Sequence, residues 1–432
     1  MILSELIFFI LLVFISNDNY AVLIVSSNGY QNYRHQADVF HHYHILIEKG
    51  INPDNIIVFA YDDIAFDLKN PFPGKIFNSP SGIDVYEGVV IDYFGEDVTP
   101  ENFLAAITGE KSSLNIKDNR TTSKILTSTK NDNVYIYFSD HGEDNIITFP
   151  ESFLYADELI NSLIIMNEKQ MYKELVFNLE ACYSGSMFQN KLPSNLSVYA
   201  VTSSNETEVS YAEYCTIKIN NTKIGQCLGD EYSCRFMEDI ESINSKKLQA
   251  YTFQDQYENL VKSVEGSHVM QYGDLNVAKN SIAKFVSSQT QKFLKFFSTS
   301  TNLINLIIPP VTSSYDEINF KINNEYYNIE ILRMKVEENN DIEDEIEYYE
   351  ELSKEIRVIQ IFEKFNNYFN LSQRNFDDEI DFECYRKIVN CYKEKCGLSI
   401  DRDFKFMKYI ANFCTQGIIV NEAEVAFTKI CE

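Results

Sequence analysis

Residues 133–142, NVYIYFSDHG, and residues 174–186, ELVFNLEACYSGS, decide the fold class of this chain. Each is a short run of mostly apolar residues that ends in polar or small ones. Strands buried on both faces have this continuous pattern, whereas strands with one solvated face alternate. Helical patterns lie between such strands along the chain. The sequence therefore predicts an α/β fold, with a mostly parallel sheet flanked by helices.

The same alternation of apolar runs and helical patterns extends over about the first 275 residues. One helix is predicted at 38–50, where Gly50 ends the pattern, and another at 99–109, where Thr99 is the N-cap and Pro100 the first helical residue. Four further strands complete the predicted sheet, at 21–27, 56–63, 197–204 and 268–274.

The chain changes character after residue 275. Residues 275–340 are rich in Ser, Thr, Asn and Pro, which indicates a connecting segment. Residues 341–358 carry eight acidic residues against two basic ones, and residues 359–432 have helical spacing and five of the nine cysteines. A second, all-α domain is predicted at this end of the chain.

Composition limits the partners. With 432 residues, the chain can hold one large domain and one smaller one, each with its own core. The formal net charge is −27 and the isoelectric point about 4.6. Such a surface repels phosphate backbones, so no nucleic-acid partner is expected.

The N-terminus begins MILSELIFFILLVFIS, with an apolar run of about ten residues. This run is too short to span a bilayer and fits the apolar region of a secretory signal peptide, predicted over residues 1–19. Glu5, the absence of Lys or Arg and the lack of a small-x-small cleavage site fit less well. A buried strand and an uncleaved anchor stay open as alternatives. We expect a protein of the secretory pathway without stable membrane insertion.

Nine cysteines suit an oxidising compartment, and an odd number leaves at least one unpaired within the chain. Five N-x-S/T sequons are predicted glycosylation sites and surface positions: Asn119, Asn195, Asn205, Asn220 and Asn370.

Reactive residues follow two of the predicted strands, His141 after one and Cys182 after the other. In parallel α/β sheets, functional groups collect beyond the carboxyl ends of the strands. A histidine beside a cysteine can favour the thiolate and protonate a leaving amine. The N–H groups of Gly142 and Cys182 would bind the oxyanion. From these residues alone, Cys182 is a nucleophile, a buried thiol or half of a disulfide. His41, His42 and His44 show no metal-ligand pattern, and no metal or cofactor is expected.

Several stretches together resemble legumain, the asparaginyl endopeptidase of the C13 cysteine peptidases, whose fold is shared with the caspases. They span the first domain from end to end: SNGYQNYRHQAD (27–38), YDDIA (61–65), NPFPGKIFN (70–78), GEDVTPENFL (95–104), IYFSDHG (136–142), EACYSGSM (180–187), YCTIKINNTKIGQCLGDEYS (214–233) and SHVMQYG (267–273). The resemblance implies a caspase-like fold, a Cys182 nucleophile with His141, and cleavage after asparagine, or after aspartate at acid pH.

The resemblance also implies further site residues. Asn32 would orient His141, and the specificity pocket would be formed by Arg34, His35, Glu180, Ser210 and Asp230. These residue types suit an asparagine side chain, because a guanidinium can face the amide oxygen while carboxylates accept from the amide nitrogen. The pocket wall reads Val209-Ser210-Tyr211, where the family often has Ser-Ser-Tyr.

For the rest of the chain, the resemblance implies a zymogen with a C-terminal inhibitory prodomain. It gives a catalytic domain at 20–290, a linker and acidic activation peptide at 291–358, and a helical, disulfide-bonded prodomain at 359–432. Autocleavage is expected after Asn340, with Asn339 next. The implied disulfides are Cys215–Cys227, Cys384–Cys414 and Cys396–Cys431, which leave Cys182, Cys234 and Cys391.

The resemblance further implies protein and peptide substrates, inhibitors of cystatin type and a lysosome- or vacuole-like acidic compartment or secretion. One alternative stays open: the same acyl-enzyme could pass to an amine, making an Asn-specific peptide ligase or transamidase. The net charge of the C-terminal region does not indicate a basic domain that covers an acidic one. Residues 341–432 carry a net charge of −8, which leaves −19 of the total −27 for residues 1–340, so individual Lys and Arg contacts must hold the prodomain.

Overall fold

The computed structural model describes residues 18–287, 321–339, 341–371, 378–417 and 420–431. The strands of these residues are, in chain order, β1 (Asn19–Val25), β2 (Ile56–Phe59), β3 (Asn133–Ser139), β4 (Gly142–Glu143), β5 (Ile146–Thr148), β6 (Phe153–Tyr155), β7 (Glu174–Glu180), β8 (Val198–Thr202), β9 (Tyr211–Glu213), β10 (Lys218–Ile219), β11 (Thr222–Lys223), β12 (Gly229–Asp230), β13 (Met270–Gly273) and β14 (Ile322–Asn323).

The α-helices of the described residues are α1 (Tyr33–Lys49), α2 (Pro100–Ile107), α3 (Ala156–Glu168), α4 (Glu231–Ser242), α5 (Ser245–Leu248), α6 (Phe253–Ser263), α7 (Ala283–Val286), α8 (Tyr327–Asn339), α9 (Ile342–Phe369), α10 (Phe382–Cys396), α11 (Ile400–Asp403), α12 (Met407–Phe413) and α13 (Val420–Cys431).

A six-stranded sheet in the order β13-β8-β7-β3-β1-β2 forms the centre of the first domain. All neighbours pair in parallel except β13, which runs antiparallel to β8 at one edge. The mostly parallel sheet predicted from the sequence is thereby confirmed. The antiparallel edge was not predicted, because an apolar run does not encode its own direction.

The sheet is buried on both faces, which explains its continuous apolar strands. In β3, Tyr135 and Tyr137 belong to the core on one face, while Val134, Ile136 and Phe138 belong to the core on the other. Successive side chains of a strand point to opposite faces, so two cores require apolar residues at every position.

Two helices follow their predicted end signals. Thr99 Oγ1 accepts a hydrogen bond from Asn102 N at the start of α2. At the end of α1, Gly50 adopts φ 106° and its N–H bonds to Leu46 O and Ile47 O, a left-handed cap that favours glycine. Helix α1 begins at Tyr33, five residues before the predicted start, so its first turn carries polar residues of the site described below.

The C-terminal region is all-helical, as predicted. Helices α9, α10, α12 and α13 share one core, to which strands β5 and β6 of the first domain contribute Ile146, Phe153 and Tyr155. The predicted division at residue 358 falls inside α9, and α8 lies where a connecting segment was predicted. Both differences arise because polar, acidic helix faces resemble linkers in composition.

At the N-terminus, residues 1–17 of the predicted signal peptide lie outside the described residues. The last two residues of that prediction belong to the fold: Asp18 N donates to Asp132 Oδ1 over 2.9 Å, and Asn19 begins β1. Among the described residues, no helix is both long enough and apolar enough to cross a membrane.

The core contains one neutral histidine, His42 of α1. Its ring stacks on Tyr137 at 4.2 Å between centroids, and neither ring nitrogen has a hydrogen-bond partner among the described residues. Burial lowers the pKa of His42 to about 3. Below pH 6.5 the unfolded chain therefore binds a proton at this position that the folded chain does not. The free energy of unfolding consequently decreases as the pH is lowered.

The free energy of unfolding should drop between pH 7 and pH 5, in part because of His42. We predict that this drop is about 2 kcal/mol smaller in His42→Leu than in the protein with His42. Urea denaturation at both pH values, in a Cys182→Ala background that blocks self-cleavage, measures this difference. His268→Gln is the control, because Glu208 raises the pKa of the exposed His268 and its loss should act in the opposite direction. An unchanged pH dependence in His42→Leu would contradict the assignment.

Candidate active site

The strand register brings the predicted reactive residues to one edge of the sheet. Val25 of β1 pairs with Ser139 of β3, and Ser139 pairs with Glu180 of β7. All three strands are parallel, so the residues that follow them lie side by side. His141 and Cys182 thus come from neighbouring strand ends, as the sequence indicated.

His141 is oriented by Asn32. The amide Nδ2 of Asn32 donates to Asn28 O over 2.8 Å, which turns its Oδ1 toward His141 Nε2, also at 2.8 Å. Because Oδ1 can only accept, Nε2 carries the proton and Nδ1 is the basic nitrogen. Nδ1 has no hydrogen-bond partner among the described residues. Asp140 fixes the backbone, since its Oδ1 accepts from His141 N over 2.6 Å.

Cys182 is buried and unpaired. Its side chain is about 1% exposed, and Ser210 N donates to Sγ over 3.3 Å. Burial raises the pKa of the thiol and lowers the pKa of His141 well below its usual value. Both groups are therefore neutral in this state of the chain, and a thiolate–imidazolium pair is disfavoured.

Gly142 packs directly against the backbone of Cys182. A Cβ added at Gly142 would lie 2.5 Å from Cys182 O and 3.0 Å from Ala181 Cβ, so a larger residue does not fit. The predicted oxyanion residues are therefore in contact, and their role stays a prediction.

A pocket beside the pair is built on the ion pair of Arg34 and Asp230. Both side chains are fully buried, and Arg34 Nε donates to Asp230 Oδ1 over 2.9 Å. Arg34 lies in the first turn of α1, and Asp230 ends the short strand β12. The two terminal guanidinium nitrogens of Arg34 donate to no partner among the described residues.

The other predicted pocket residues surround this pair. His35 Nδ1 lies 2.8 Å from Ser27 Oγ, and its Nε2 lies 3.7 Å from Asp230 Oδ2. Glu180 and Ser210 are both buried. Burial, together with the nearby Asp230, raises the pKa of Glu180 well above its usual value. The structure thus brings all five predicted pocket residues together.

The pocket is occupied by Asn324 of this same chain, a residue that the sequence analysis missed. Its Nδ2 donates to Asp230 Oδ1 over 2.8 Å and to Ser210 Oγ over 3.0 Å. Its backbone N donates to Ser210 O over 3.2 Å, and the preceding strand β14 pairs antiparallel with β9. The segment therefore lies in the site as an added strand, the way an extended peptide binds a sheet edge.

After Asn324 the chain turns away from an extended path. Residues Asn324–Tyr326 form a 3-10 turn that leads into α8. Tyr327, the first residue of α8, places its ring 4.0 Å from the guanidinium carbon of Arg34, and its hydroxyl donates to Gln226 Oε1 over 2.9 Å. The pocket is closed from this side by an aromatic ring.

The C-terminal helices cover the catalytic residues. The ring of Phe404 stacks on His141 at 4.8 Å, and Asp401 Oδ2 accepts from Gln31 Nε2 over 3.3 Å. Arg386 forms a bidentate pair with Asp157 at 2.8–2.9 Å. Individual basic and aromatic residues thus bind the C-terminal region to the first domain, in agreement with the negative net charge of both parts.

Of the predicted processing residues, Asn340 lies outside the described residues. Asn339 is exposed at the end of α8, and its Nδ2 donates to Asp344 Oδ2 over 2.9 Å. A signal for Asn324 existed in the asparagine pair of INNE (322–325), but the segment offered several asparagines and no pattern that ranks them.

The structure contains three disulfides, Cys215–Cys227, Cys384–Cys414 and Cys396–Cys431, the pairings that the resemblance implies. Cys182, Cys234 and Cys391 are free. Of the sequon asparagines, Asn205 is half-buried and its Oδ1 accepts from Thr207 N over 2.8 Å. The other four are exposed: Asn119, Asn195, Asn220 and Asn370.

Comparisons with known proteins agree over nearly the whole chain. Residues 19–290 match the model of the Peptidase C13 family, and residues 340–431 match that of the legumain prodomain. The chain is 35% identical to hemoglobinase of Schistosoma mansoni over 96% of this chain and 92% of that protein. It is 33% identical to legumain of Mus musculus, with the same two coverages.

Two further matches are a plant protein and a solved structure. A vacuolar-processing enzyme of Citrus sinensis is 35% identical, over 96% of this chain and 85% of the relative. A crystal structure of caspase-1 from Spodoptera frugiperda aligns with 60% of this chain and 87% of its own, at 9% identity and a TM-score of 0.34.

A catalytic domain of this type followed by a covering helical region defines a cysteine-type endopeptidase with a prodomain. The chain belongs to the peptidase C13 family, and its C-terminal region is a legumain-type prodomain. We use the word prodomain for residues 340–431 from here on.

We predict that Asn324→Asp loosens the segment from the pocket at pH 7, because a carboxylate cannot donate to Asp230 and would repel it. Amide hydrogen exchange of residues 322–326 should accelerate by about 10- to 100-fold, equivalent to about 1.4–2.8 kcal/mol. Mass spectrometry of the Cys182→Ala protein measures this rate. Asn323→Asp is the matched control, since it adds the same charge one residue outside the pocket. Equal acceleration in both variants would contradict the pocket contacts.

Proposed function

We propose that this peptidase cleaves after asparagine, and that it is made as a zymogen whose own Asn324 fills the specificity pocket until acid pH releases it. One observation carries the proposal: the Asn324 amide donates to Asp230 and Ser210 while its backbone pairs with β9. A substrate asparagine can make the same contacts.

The pocket chemistry favours asparagine over its close analogues. An amide donates to Asp230 and Ser210 and presents an oxygen to the Arg34 guanidinium, whereas a carboxylate has no donor. An aspartate side chain would have to be protonated, which requires acid pH. Glutamine is one methylene longer, so its amide cannot take the position of the Asn324 amide beside Asp230 and Ser210 without a shift of the backbone.

The catalytic residues suit acyl transfer by a cysteine. His141 Nδ1 takes the thiol proton, and Cys182 Sγ attacks the carbonyl carbon of the substrate asparagine. The tetrahedral oxyanion collapses to a thioester as the C–N bond breaks, and His141 gives its proton to the leaving amine. Water, deprotonated by His141, then attacks the thioester; the C–S bond breaks, the thiol is regenerated with the proton from His141, and the carboxylic acid product is released.

The zymogen is inactive for three reasons that the contacts supply. The thiol and the imidazole are held neutral by burial, Phe404 covers His141, and the chain after Asn324 turns into a 3-10 helix instead of extending across the site. A cystatin-type inhibitor would meet the same obstruction, so we expect it to bind after the prodomain has left.

The proposed sensor of acid pH is His141. The prodomain buries the ring under Phe404, and burial, Arg34 and Lys405 lower its pKa. Undocking restores a more ordinary pKa, so protons favour the undocked state below about pH 6.5. Other groups facing the ring are His35, Asp140 and, through Asn32, Asp401. Burial raises the pKa of Asp401 to about 6, which opposes release, so the contribution of His141 must exceed it.

The relatives' names support a vacuolar setting. One is a vacuolar-processing enzyme. We propose a vacuole- or lysosome-like compartment reached by the secretory pathway, with autocleavage after Asn340 as the first cut. Cleavage after Asn324 would come later, because that bond is buried in the site.

We predict that the activated enzyme cleaves Ala-Ala-Asn peptides at least about 100-fold faster than the Gln counterparts, as expected when buried polar groups lose their partner. The advantage over the Asp counterparts should be similar at pH 7 and narrow toward pH 4.5. Values of kcat/KM measure both. Cys182→Ala should remain full length and cleave none of them, whereas Cys391→Ala should process normally. Robust cleavage by purified Cys182→Ala would refute the assignment.

We predict that the full-length protein, incubated from pH 7 to pH 4.5, acquires a new N-terminus at Asp341 before one at Glu325. Time-resolved terminal sequencing measures the order. Asn340→Gln should abolish the first cut, and Asn324→Gln should leave it intact and abolish the second. A first cut after Asn324, or the same cuts in Cys182→Ala, would contradict the proposed sequence of processing.

A further inference from the structure

Glu143 is a buried carboxylate beside the catalytic pair that the reaction above does not use. It lies two residues after His141, and its side chain is fully buried. Its Oε1 accepts from Asp144 N over 2.9 Å, while Oε2 accepts no hydrogen bond from the described residues. A buried carboxylate without a partner carries a large desolvation free energy, which a cation at this position would offset.

In the zymogen that cation is Lys408 of the prodomain. Its ammonium lies 3.5 Å from Glu143 Oε2 and 2.8 Å from Glu325 Oε1. It also lies 3.4 Å from the hydroxyl of Tyr183 and 5.5 Å from the centre of that ring. When the prodomain departs, Lys408 leaves with it, and the carboxylate and the ring remain as two walls of an open subsite.

The identity of Glu325 shows which part of a substrate reaches this subsite. Glu325 directly follows the pocket residue Asn324. The chain turns into a 3-10 helix here instead of extending across the site, yet a side chain one residue past the pocket still comes this close to Glu143. A single ammonium separates its carboxylate from that of Glu143. The side chain on the leaving-group side of the bond can therefore approach Glu143.

We propose that Glu143 sets the leaving-group specificity of the mature enzyme: it favours a cationic residue, Lys or Arg, directly after the asparagine and disfavours an acidic one. A substrate ammonium would take the place of the Lys408 ammonium, between the Glu143 carboxylate and the Tyr183 ring. An acidic residue there would meet Glu143 without the lysine that neutralises the pair in the zymogen. This inference rests on the proposed function, since it concerns the peptide that an Asn-cleaving enzyme accepts.

Charge pairs and like-charge juxtapositions at partly buried contacts change affinity by about tenfold or more. We therefore expect kcat/KM to be at least about 10-fold higher for Lys than for Glu after the asparagine, which corresponds to about 1.4 kcal/mol. The effect should depend on charge rather than on length.

The test uses Ala-Ala-Asn-X-Ala peptides in which X is Lys, acetyl-lysine, Ala or Glu, cleaved by the activated enzyme at fixed pH and ionic strength. The readout is the Lys-to-Glu ratio of kcat/KM within each variant, so a general change in activity cancels. The wild type should show a ratio of about 10 or more and prefer Lys to acetyl-lysine. Glu143→Gln should bring the ratio within about twofold of one, and Glu143→Lys should invert it. Glu151→Gln, which removes an exposed acidic charge of the first domain, should leave it unchanged.

Each other result counts against the inference. If Asn peptides are cleaved but Lys, acetyl-lysine and Glu behave alike in the wild type, Glu143 has no such role, whether or not its variants fold. If the ratio survives in Glu143→Gln, the preference originates elsewhere. If no Asn peptide is cleaved at all, the proposed function fails and this inference with it.

Discussion

The buried ion pair between Arg34 and Asp230 is the constraint on which the rest of the site depends. Two full charges without solvent are stable only where geometry and further hydrogen bonds offset their desolvation. Helix α1 supplies the cation in its first turn and β12 supplies the anion, so both elements must be in place before a pocket exists. Asp230 Oδ1 still accepts a further hydrogen bond, and the terminal guanidinium nitrogens of Arg34 have no partner among the described residues. An amide side chain offers the matching acceptor and donor, and Asn324 presents one there.

In the proposed zymogen, the segment around Asn324 and the prodomain together imitate what a substrate would bring. Asn324 fills the pocket, β14 occupies the strand position beside β9, and Lys408 provides a cation for Glu143 on the far side of the scissile bond. Phe404 adds the element that a substrate lacks, a ring over His141 that excludes water and keeps the imidazole neutral. On the proposed function, inhibition and specificity rest on the same side chains, and the residues whose contacts break on activation then bind the substrate.

The sheet and the catalytic edge were predictable from the sequence, because continuous apolar runs require two covered faces and parallel strands end at one edge. The placement of Cys182 beside His141 followed from that rule, while the nucleophile assignment, the pocket residues and the disulfide pairings needed the family resemblance. Asn324 was not predictable: it lies in a polar segment with several asparagines, and its selection depends on the pairing of β14 with β9. The contact of Glu143 with Lys408 was not predictable either, because it joins residues far apart in the chain. Helix α8 was missed because its polar faces resemble a linker.

The most direct test of the account is the labelling of Cys182 by an Ala-Ala-Asn chloromethyl ketone, followed by intact-mass and peptide mass spectrometry. If Asn324 and a substrate asparagine compete for one pocket, the full-length protein at pH 7 should react slowly and the activated enzyme rapidly. The adduct should lie on Cys182, and the matching Gln reagent should be at least about 100-fold slower. Equal rates for the two reagents, or equally rapid labelling of the full-length protein, would contradict the central claim that one asparagine pocket governs both inhibition and cleavage.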